Sequence, residues 1–161
     1  GKTSSALGMI LRAVGHGMKI SLIQFIKNCP EIGEISALRR FPEVSIHQAG
    51  LGFVFPGNPP RKMAEHRRAI QDGLALARTH LEDPSIKMVV LDEITDAIEL
   101  GLITVRELLE AVNRATSDKL IIITGHALIP EVVNHADTVS RVDNVKHIFK
   151  SGFSAQEGIE L

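Results

Sequence analysis

Apolar positions along this chain alternate between the spacing of helices and that of strands. Helical spacing predicts amphipathic helices at residues 4–14, 65–81, 105–113 and 130–136. The glycines of "GHG" at residues 15–17 are expected to end the first of them. Apolar runs or strict apolar–polar alternation predict strands at residues 19–26, 43–50, 86–93, 119–125 and 137–142. This order of elements predicts an α/β fold, with a mostly parallel sheet covered by helices on both faces.

Composition is typical of a single globular domain. The chain has 161 residues, 44% hydrophobic and 23% charged, which is enough for one core over residues 1–161. The formal net charge of −1 argues against a nucleic-acid partner. No apolar run approaches the roughly 20 residues that span a membrane, and no signal peptide is recognisable. Cys29 is the single cysteine, so no intrachain disulfide is expected. We expect a cytoplasmic protein.

The opening "GKTSSALG" has the form of the end of a phosphate-binding loop, G-x-x-x-x-G-K-[ST]. Gly1, Lys2, Thr3 and Ser4 would contact nucleotide phosphates, with the Thr3 hydroxyl available to Mg²⁺ and the helix N-terminus adding free N–H groups. Alternatively, Thr3 or Ser4 is simply an N-cap. The strand and earlier glycines of a complete loop do not stand before Gly1, and we expect truncation rather than their loss.

The run "MVVLDE" at residues 88–93 predicts a buried strand that ends in two carboxylates. Asp92 would hold Mg²⁺ directly or through water, and Glu93 would be a second ligand or a base. Alternatively, Asp92 caps the next helix and Glu93 lies in its first turn. Together with "GKT", this acid pair favours a nucleotide site at the carboxyl edge of the sheet.

"GLGFVF" at residues 50–55 places two of the six phenylalanines at i and i+2. If the segment is extended, the rings of Phe53 and Phe55 point to the same side. Two rings in a glycine-rich loop could form an apolar binding face. They could equally be a hydrophobic plug in the core, since buried phenylalanine is common.

With these residues in view, the chain resembles the ATP:corrinoid adenosyltransferases of cobalamin synthesis and salvage. The matching segments are collinear from Gly1 to Leu161: "GKTSSALG", "RAVGHG", "QFIK", "GFVF", "VVLDE", "ITGH", "ADTVS", "VKH" and "SGFSAQEGIEL". None of these segments is specific by itself, but their order along the whole chain is.

The resemblance implies a RecA-like P-loop fold, a homodimer, and attack of a Co(I) corrinoid on the 5′ carbon of ATP with release of triphosphate. Lys2 and Thr3 match the family's phosphate-binding and Mg²⁺-binding residues, and Glu93 matches its metal-associated carboxylate. Phe53 and Phe55 match the aromatic pair that covers the lower corrin face and displaces the axial base. An electron-donating reductase, such as a flavoprotein, would supply the Co(I) state.

The chain departs from the family pattern at several positions. Phe55 stands where Trp is usual, His126 where Arg is common, and Ala115 where Pro often follows the arginine. His147 is either a corrinoid contact or a structural residue. Two alternative functions stay open at this point: a P-loop phosphohydrolase, and a corrinoid-binding carrier with a degenerate ATP site.

Overall fold

A computed structural model of the chain describes residues 1–29, 32–52 and 59–147, together with residues 152, 154 and 156–159. Its four strands form one sheet in the order β2-β1-β3-β4, and every pairing is parallel. The strands are β1 (Ile20–Gln24), β2 (Val44–Gln48), β3 (Met88–Asp92) and β4 (Leu120–Ile123). The predicted α/β class with a parallel sheet is therefore confirmed.

Six helices lie among the described residues: α1 (Lys2–Val14), α2 (Gly33–Leu38), α3 (Pro60–Glu82), α4 (Ile94–Glu99), α5 (Val105–Val112) and α6 (Pro130–His135). The four predicted helices correspond to α1, α3, α5 and α6. Helix α3 begins five residues before the predicted start, because proline at the first helical position suits the helix backbone. The sequence analysis did not predict α2 and α4, which have six residues each and little helical periodicity. Helix α6 is equally short, but Pro130 at its first position marks a helix start.

Helices pack on both faces of the sheet, as alternate residues of each strand point in opposite directions. Ile23 and Phe25 lie in a core shared with the apolar face of α3. Ile20 and Leu22 lie in a second core shared with α1 and α2. Every residue of β1 and β3 is buried, which is why the sequences of these two strands are mostly apolar.

The end of α1 depends on glycine. The helix ends at Val14, as predicted, and the chain turns back through Gly17, which has a φ of +67°. The Met18 amide then donates a hydrogen bond of 3.1 Å to the Ala13 carbonyl. Residues other than glycine rarely adopt this left-handed conformation without strain, so "GHG" sets where β1 can begin.

The predicted strand at residues 137–142 is wrong: the structure places these residues in irregular backbone. Val139 and Val142 are 50% and 46% exposed. Their alternating pattern therefore buries too little apolar surface to stabilise a strand.

Among the described residues, β4 pairs with β3 alone and forms an edge of the sheet. A groove of about 730 Å³ adjoins this edge and is lined by residues from α1, β4 and α6. No helix in the described part of the chain combines the length and apolar character that crossing a membrane requires.

Candidate functional site

The parallel register places polar residues side by side at the carboxyl edge of the sheet. Gln24, at the end of β1, is level with Asp92 of β3 and with Gln48 of β2. Thr124 directly follows β4 at the same edge. Ligands of open parallel sheets bind at this edge.

Asp92 is the centre of this edge. It is fully buried, and its Oδ1 accepts hydrogen bonds from Thr3 Oγ1 at 3.1 Å and from Thr124 Oγ1 at 2.7 Å. Its Oδ2 accepts one from Gln24 Nε2 at 3.1 Å. A buried carboxylate with three donors is held in one orientation. The structure thus brings the "GKT" and "LDE" motifs together.

This arrangement corrects both capping alternatives. The N-cap of α1 is Gly1, and no side chain caps that helix, because the Thr3 hydroxyl bonds to Asp92. Helix α4 likewise has no side-chain cap, since Asp92 belongs to the strand and Glu93 is the N-cap residue. Thr3 and Asp92 therefore bond to each other at the sheet edge and do not cap α1 or α4.

Glu93 has an unusual backbone for a non-glycine residue, with φ 61° and ψ 23°. Such a conformation costs on the order of 1–3 kcal/mol. The Glu93 amide donates to Thr124 Oγ1 at 2.9 Å, and Thr124 in turn donates to Asp92. One threonine hydroxyl therefore fixes both members of the acid pair.

The Glu93 side chain is 16% exposed and lies 3.7 Å from Lys27 Nζ. Burial raises the pKa of the Glu93 carboxyl group, and Asp92 and Asp96 raise it further, whereas Lys27 lowers it. Glu93 is thus the more accessible acid of the pair, and burial and the neighbouring charges together set the pKa of its carboxyl group.

The first turn of α1 favours an anion. It carries no acidic residue, Lys2 and Thr3 are partly exposed, and Ser4 is exposed. The positive end of the helix dipole and its unpaired N–H groups lie here. Lys2, Thr3 and Ser4 therefore have the placement expected of phosphate contacts.

The loop after β4 is held against α4. The His126 amide and Nδ1 lie 2.6 Å and 2.9 Å from the two Asp96 carboxylate oxygens. A Cβ on Gly125 would lie 1.8 Å from Thr95 Oγ1, so only glycine allows this approach. His126, which stands where arginine is common in the family pattern, is exposed and oriented by Asp96.

The aromatic pair predicted to cover a corrin lies outside the described residues, which include Gly50 to Gly52 but neither Phe53 nor Phe55. The start of their loop is tightly fixed: a Cβ on Gly50 would lie 2.3 Å from the Ile26 carbonyl oxygen. The role of Phe53 and Phe55 in corrinoid binding therefore stays a prediction.

Sequence reasoning missed Gln24, Gln48, Thr124 and Lys27. A signal was present for two of them, since "ISLIQ" and "LIIIT" each end an apolar strand run with a polar residue. A polar residue at that place faces the ligand edge of a parallel sheet. Gln48 and Lys27 carried no comparable signal, because their contacts depend on register and loop geometry.

Comparison with known proteins gives a consistent result. A family model described as ATP:corrinoid adenosyltransferase BtuR/CobO/CobP matches residues 1–161. A corrinoid adenosyltransferase of Pseudomonas aeruginosa is 39% identical over 163 residues, covering 100% of this chain and 78% of its own length. One from Salmonella typhimurium is 35% identical over 161 residues, covering 99% and 80%. One from Escherichia coli K12 is 34% identical over 160 residues, covering 99% and 80%.

Proposed function

Since this chain belongs to the ATP:corrinoid adenosyltransferase family and transfers an adenosyl group to a corrinoid, we propose how the transfer proceeds. A Co(I) corrinoid attacks the 5′ carbon of ATP, the cobalt–carbon bond forms, and the carbon–oxygen bond breaks. Triphosphate leaves with the electron pair of that bond. Such a displacement at carbon needs alignment of the reactants and neutralisation of the triphosphate charge, and it needs no protein general base.

The observation that carries this proposal is the hydrogen bond from Thr3 to Asp92, with Glu93 directly after it. The Thr3 hydroxyl donates a hydrogen bond to Asp92, so the lone pairs of its oxygen are left for a cation or a water. Lys2, one residue earlier on the helix, adds a mobile positive charge for the phosphate oxygens.

Thr3, Asp92 and Glu93 fit Mg²⁺, because their ligand atoms are all oxygens. In the described part of the chain, no group of three or more His, Cys, Asp or Glu side chains is placed to hold a metal by itself. That donor set suits an ion that arrives with the nucleotide's phosphates and takes one or two protein ligands. We propose that Thr3 and Glu93 would hold the ion and that Asp92 would orient Thr3. Bound there, Mg²⁺ would neutralise part of the triphosphate charge.

Phe53 and Phe55 are proposed to cover the lower corrin face. Apolar rings there would exclude water and the displaced base, and a Co(II) corrinoid without an axial donor is easier to reduce. A weak electron donor, such as a flavoprotein reductase, could then supply Co(I). This part of the proposal is supported by the resemblance of "GFVF" and by the fixed loop start at Gly50.

A RecA-like P-loop architecture is the finer fold that we propose. In that architecture a parallel strand leads directly into the phosphate-binding helix, which here is α1. The all-parallel sheet and the position of Asp92 support this assignment. We also propose a cytoplasmic homodimer, on the basis of the family resemblance.

The inorganic product tests the proposed function. The chain is incubated with Mg–ATP and chemically reduced cobalamin, and the products are separated by anion-exchange chromatography while the cobalt–carbon bond is followed by absorbance. Stoichiometric triphosphate and adenosylcobalamin are expected. Orthophosphate with ADP and no alkylated cobalt would show a phosphohydrolase instead, and corrinoid binding without turnover would show a carrier.

A further inference from the structure

Gln24 is a fully buried amide between two other polar side chains. Its Nε2 donates to Asp92 Oδ2 at 3.1 Å, and its Oε1 accepts from Gln48 Nε2 at 2.9 Å. Gln48 Nε2 also donates to the Cys29 carbonyl at 3.2 Å. A chain of hydrogen bonds therefore crosses the carboxyl edge of the sheet from β2 through β1 to β3.

Asp92, the last member of this series of hydrogen bonds, determines which way both amides point. An ionised carboxylate only accepts hydrogen bonds, so Gln24 must turn its NH₂ group toward Asp92. The Gln24 oxygen is then left for Gln48, which must donate. Reversing either amide would set two acceptors or two donors against each other in a buried place, which is costly. Each amide is therefore locked by the other.

The main chain of Gln24 joins the same elements. Its carbonyl accepts from the amides of Ala49 and Gly50 at 2.9 Å and 3.4 Å, in the loop after β2. The next amide, that of Phe25, donates to the Asp92 carbonyl at 3.0 Å. Side chain and main chain together hold the β2 exit loop, which precedes Phe53 in the sequence, against the acid that binds Thr3.

We propose that Gln24 is a positioning residue of the ATP site, which orients Asp92 for Thr3 and is itself held in place by Gln48. Through Gln24 and Gln48, the loop that leads to Phe53 and Phe55 is held in a fixed position relative to the ATP site. The inference rests on the proposed function in one respect, the assignment of Thr3 and Asp92 to Mg–ATP binding. It predicts that Gln48 on β2 affects ATP affinity, although Gln24 and Asp92 lie between it and Thr3.

The test measures Mg–ATP binding to the full chain by isothermal titration calorimetry. Gln24→Met removes the donor to Asp92 at similar side-chain length, and binding is expected to weaken roughly tenfold or more, as for loss of a hydrogen bond to a charged group. Gln48→Met is expected to weaken binding by a smaller factor. Because Gln48 acts through Gln24, the double variant should bind no more weakly than Gln24→Met alone.

Ser45→Ala is the matched control. Ser45 Oγ donates to the Ile20 carbonyl at 3.1 Å, so this variant also removes a side-chain hydrogen bond between β1 and β2. Its contact lies away from Asp92, and Mg–ATP binding should stay at the wild-type value even if the melting temperature falls. A loss of affinity in this control equal to that of Gln48→Met would overturn the proposal.

A conservative variant gives a readout that packing alone would not. In Gln24→Glu the introduced carboxyl group can donate to Asp92 only when it carries a proton. The ratio of variant to wild-type affinity should therefore rise as the pH is lowered from 8 to 6, whereas the ratio for Gln24→Met should not. If Gln24→Met does not fold, this pH dependence and the Gln48→Met affinity decide the question.

Wild-type affinity in Gln24→Met, or strictly additive losses in the double variant, would refute the positioning role. The assay involves no corrinoid, so it separates the two proposals. If the losses of Mg–ATP affinity in the Gln24 and Gln48 variants are non-additive as expected but no adenosylcobalamin forms, the proposed transfer mechanism alone is rejected. Adenosylation that is insensitive to Gln24 would reject the positioning role alone.

Discussion

Thr3 and Asp92 are 89 positions apart in the sequence, and Thr3 Oγ1 donates a hydrogen bond to Asp92 Oδ1 over 3.1 Å. This bond connects the first turn of α1 with the end of β3. It places the hydroxyl of "GKT" beside the acid pair, where we propose that a nucleotide's phosphates and their metal ion bind.

Removing the Thr3 hydroxyl should impair ATP use. We expect Thr3→Ala to lower kcat/KM for ATP roughly ten- to a hundredfold, since it removes the oxygen ligand that we propose for Mg²⁺ and leaves Asp92 with one donor fewer. Lys2→Ala should have a comparable effect through loss of a charge-assisted phosphate contact. Thr3→Ser keeps the hydroxyl and serves as the control. Near-normal activity of Thr3→Ala at subsaturating ATP would remove "GKT" from the site.

Activity should depend on the ionisation of Glu93. Burial raises the pKa of this carboxyl group and Lys27 lowers it, so Lys27→Met should raise the pKa further. Only the ionised form binds a cation well, and the acidic limb of kcat/KM for ATP should therefore move to higher pH in Lys27→Met. The measurement is a pH profile at fixed free Mg²⁺. An unchanged limb in Lys27→Met would assign it to another group, and Glu93→Gln, with no ionisable group there, is the reference.

The aromatic pair gives the sharpest test of corrinoid chemistry. Phe53→Ala and Phe55→Ala should open the lower corrin face to an axial donor. The loss of activity should be severe when the reaction starts from Co(II) with a weak reductant, and milder when Co(I) is supplied. Burial of these rings in the core predicts equal losses in both assays, together with destabilisation of about 3–5 kcal/mol. A melting curve for each variant distinguishes the two cases.

Stability should decrease on mild acidification because of His80. Ser21 Oγ lies 2.7 Å from His80 Nδ1, and the rings of His80 and His47 are 5.5 Å apart. Burial lowers the pKa of His80 from its ordinary value of 6.5, with His47 and Lys119 lowering it further and Asp83 opposing them. The unfolded chain therefore takes up the proton first, and stability present above pH 6.5 is lost as the pH falls through and below it.

Thermal melting between pH 7.5 and 5.5 measures this effect. The melting temperature of the wild type should fall across the range, and that of His80→Gln, which cannot titrate there, should fall less. Equal slopes for the two proteins would assign the acid sensitivity to other groups. His47→Gln removes one cause of the shift and should give an intermediate slope.

Local pattern determined much of this protein. Apolar periodicity was sufficient for β1 to β4 and for α1, α3, α5 and α6, because burial on one or two faces leaves a direct imprint on sequence. The motifs "GKT" and "LDE" indicated a nucleotide edge, since phosphate and cation chemistry needs those residue types at strand and helix ends. Helices α2 and α4 were missed because they are short and, unlike α6, have no proline to mark their start.

Only the tertiary structure decided which contacts those residues make. Local pattern allowed Thr3 to cap its own helix, and the packing of α1 against β3 gave its hydroxyl to Asp92 instead. The roles of Gln24 and Thr124 also depend on strand order, as each reaches Asp92 from a neighbouring strand or strand end. The segment at residues 137–142 has a strand's alternation but stays irregular, because its valines are not buried. Periodicity records whether a side chain is buried, whereas its partner is set by chain segments far away in the sequence.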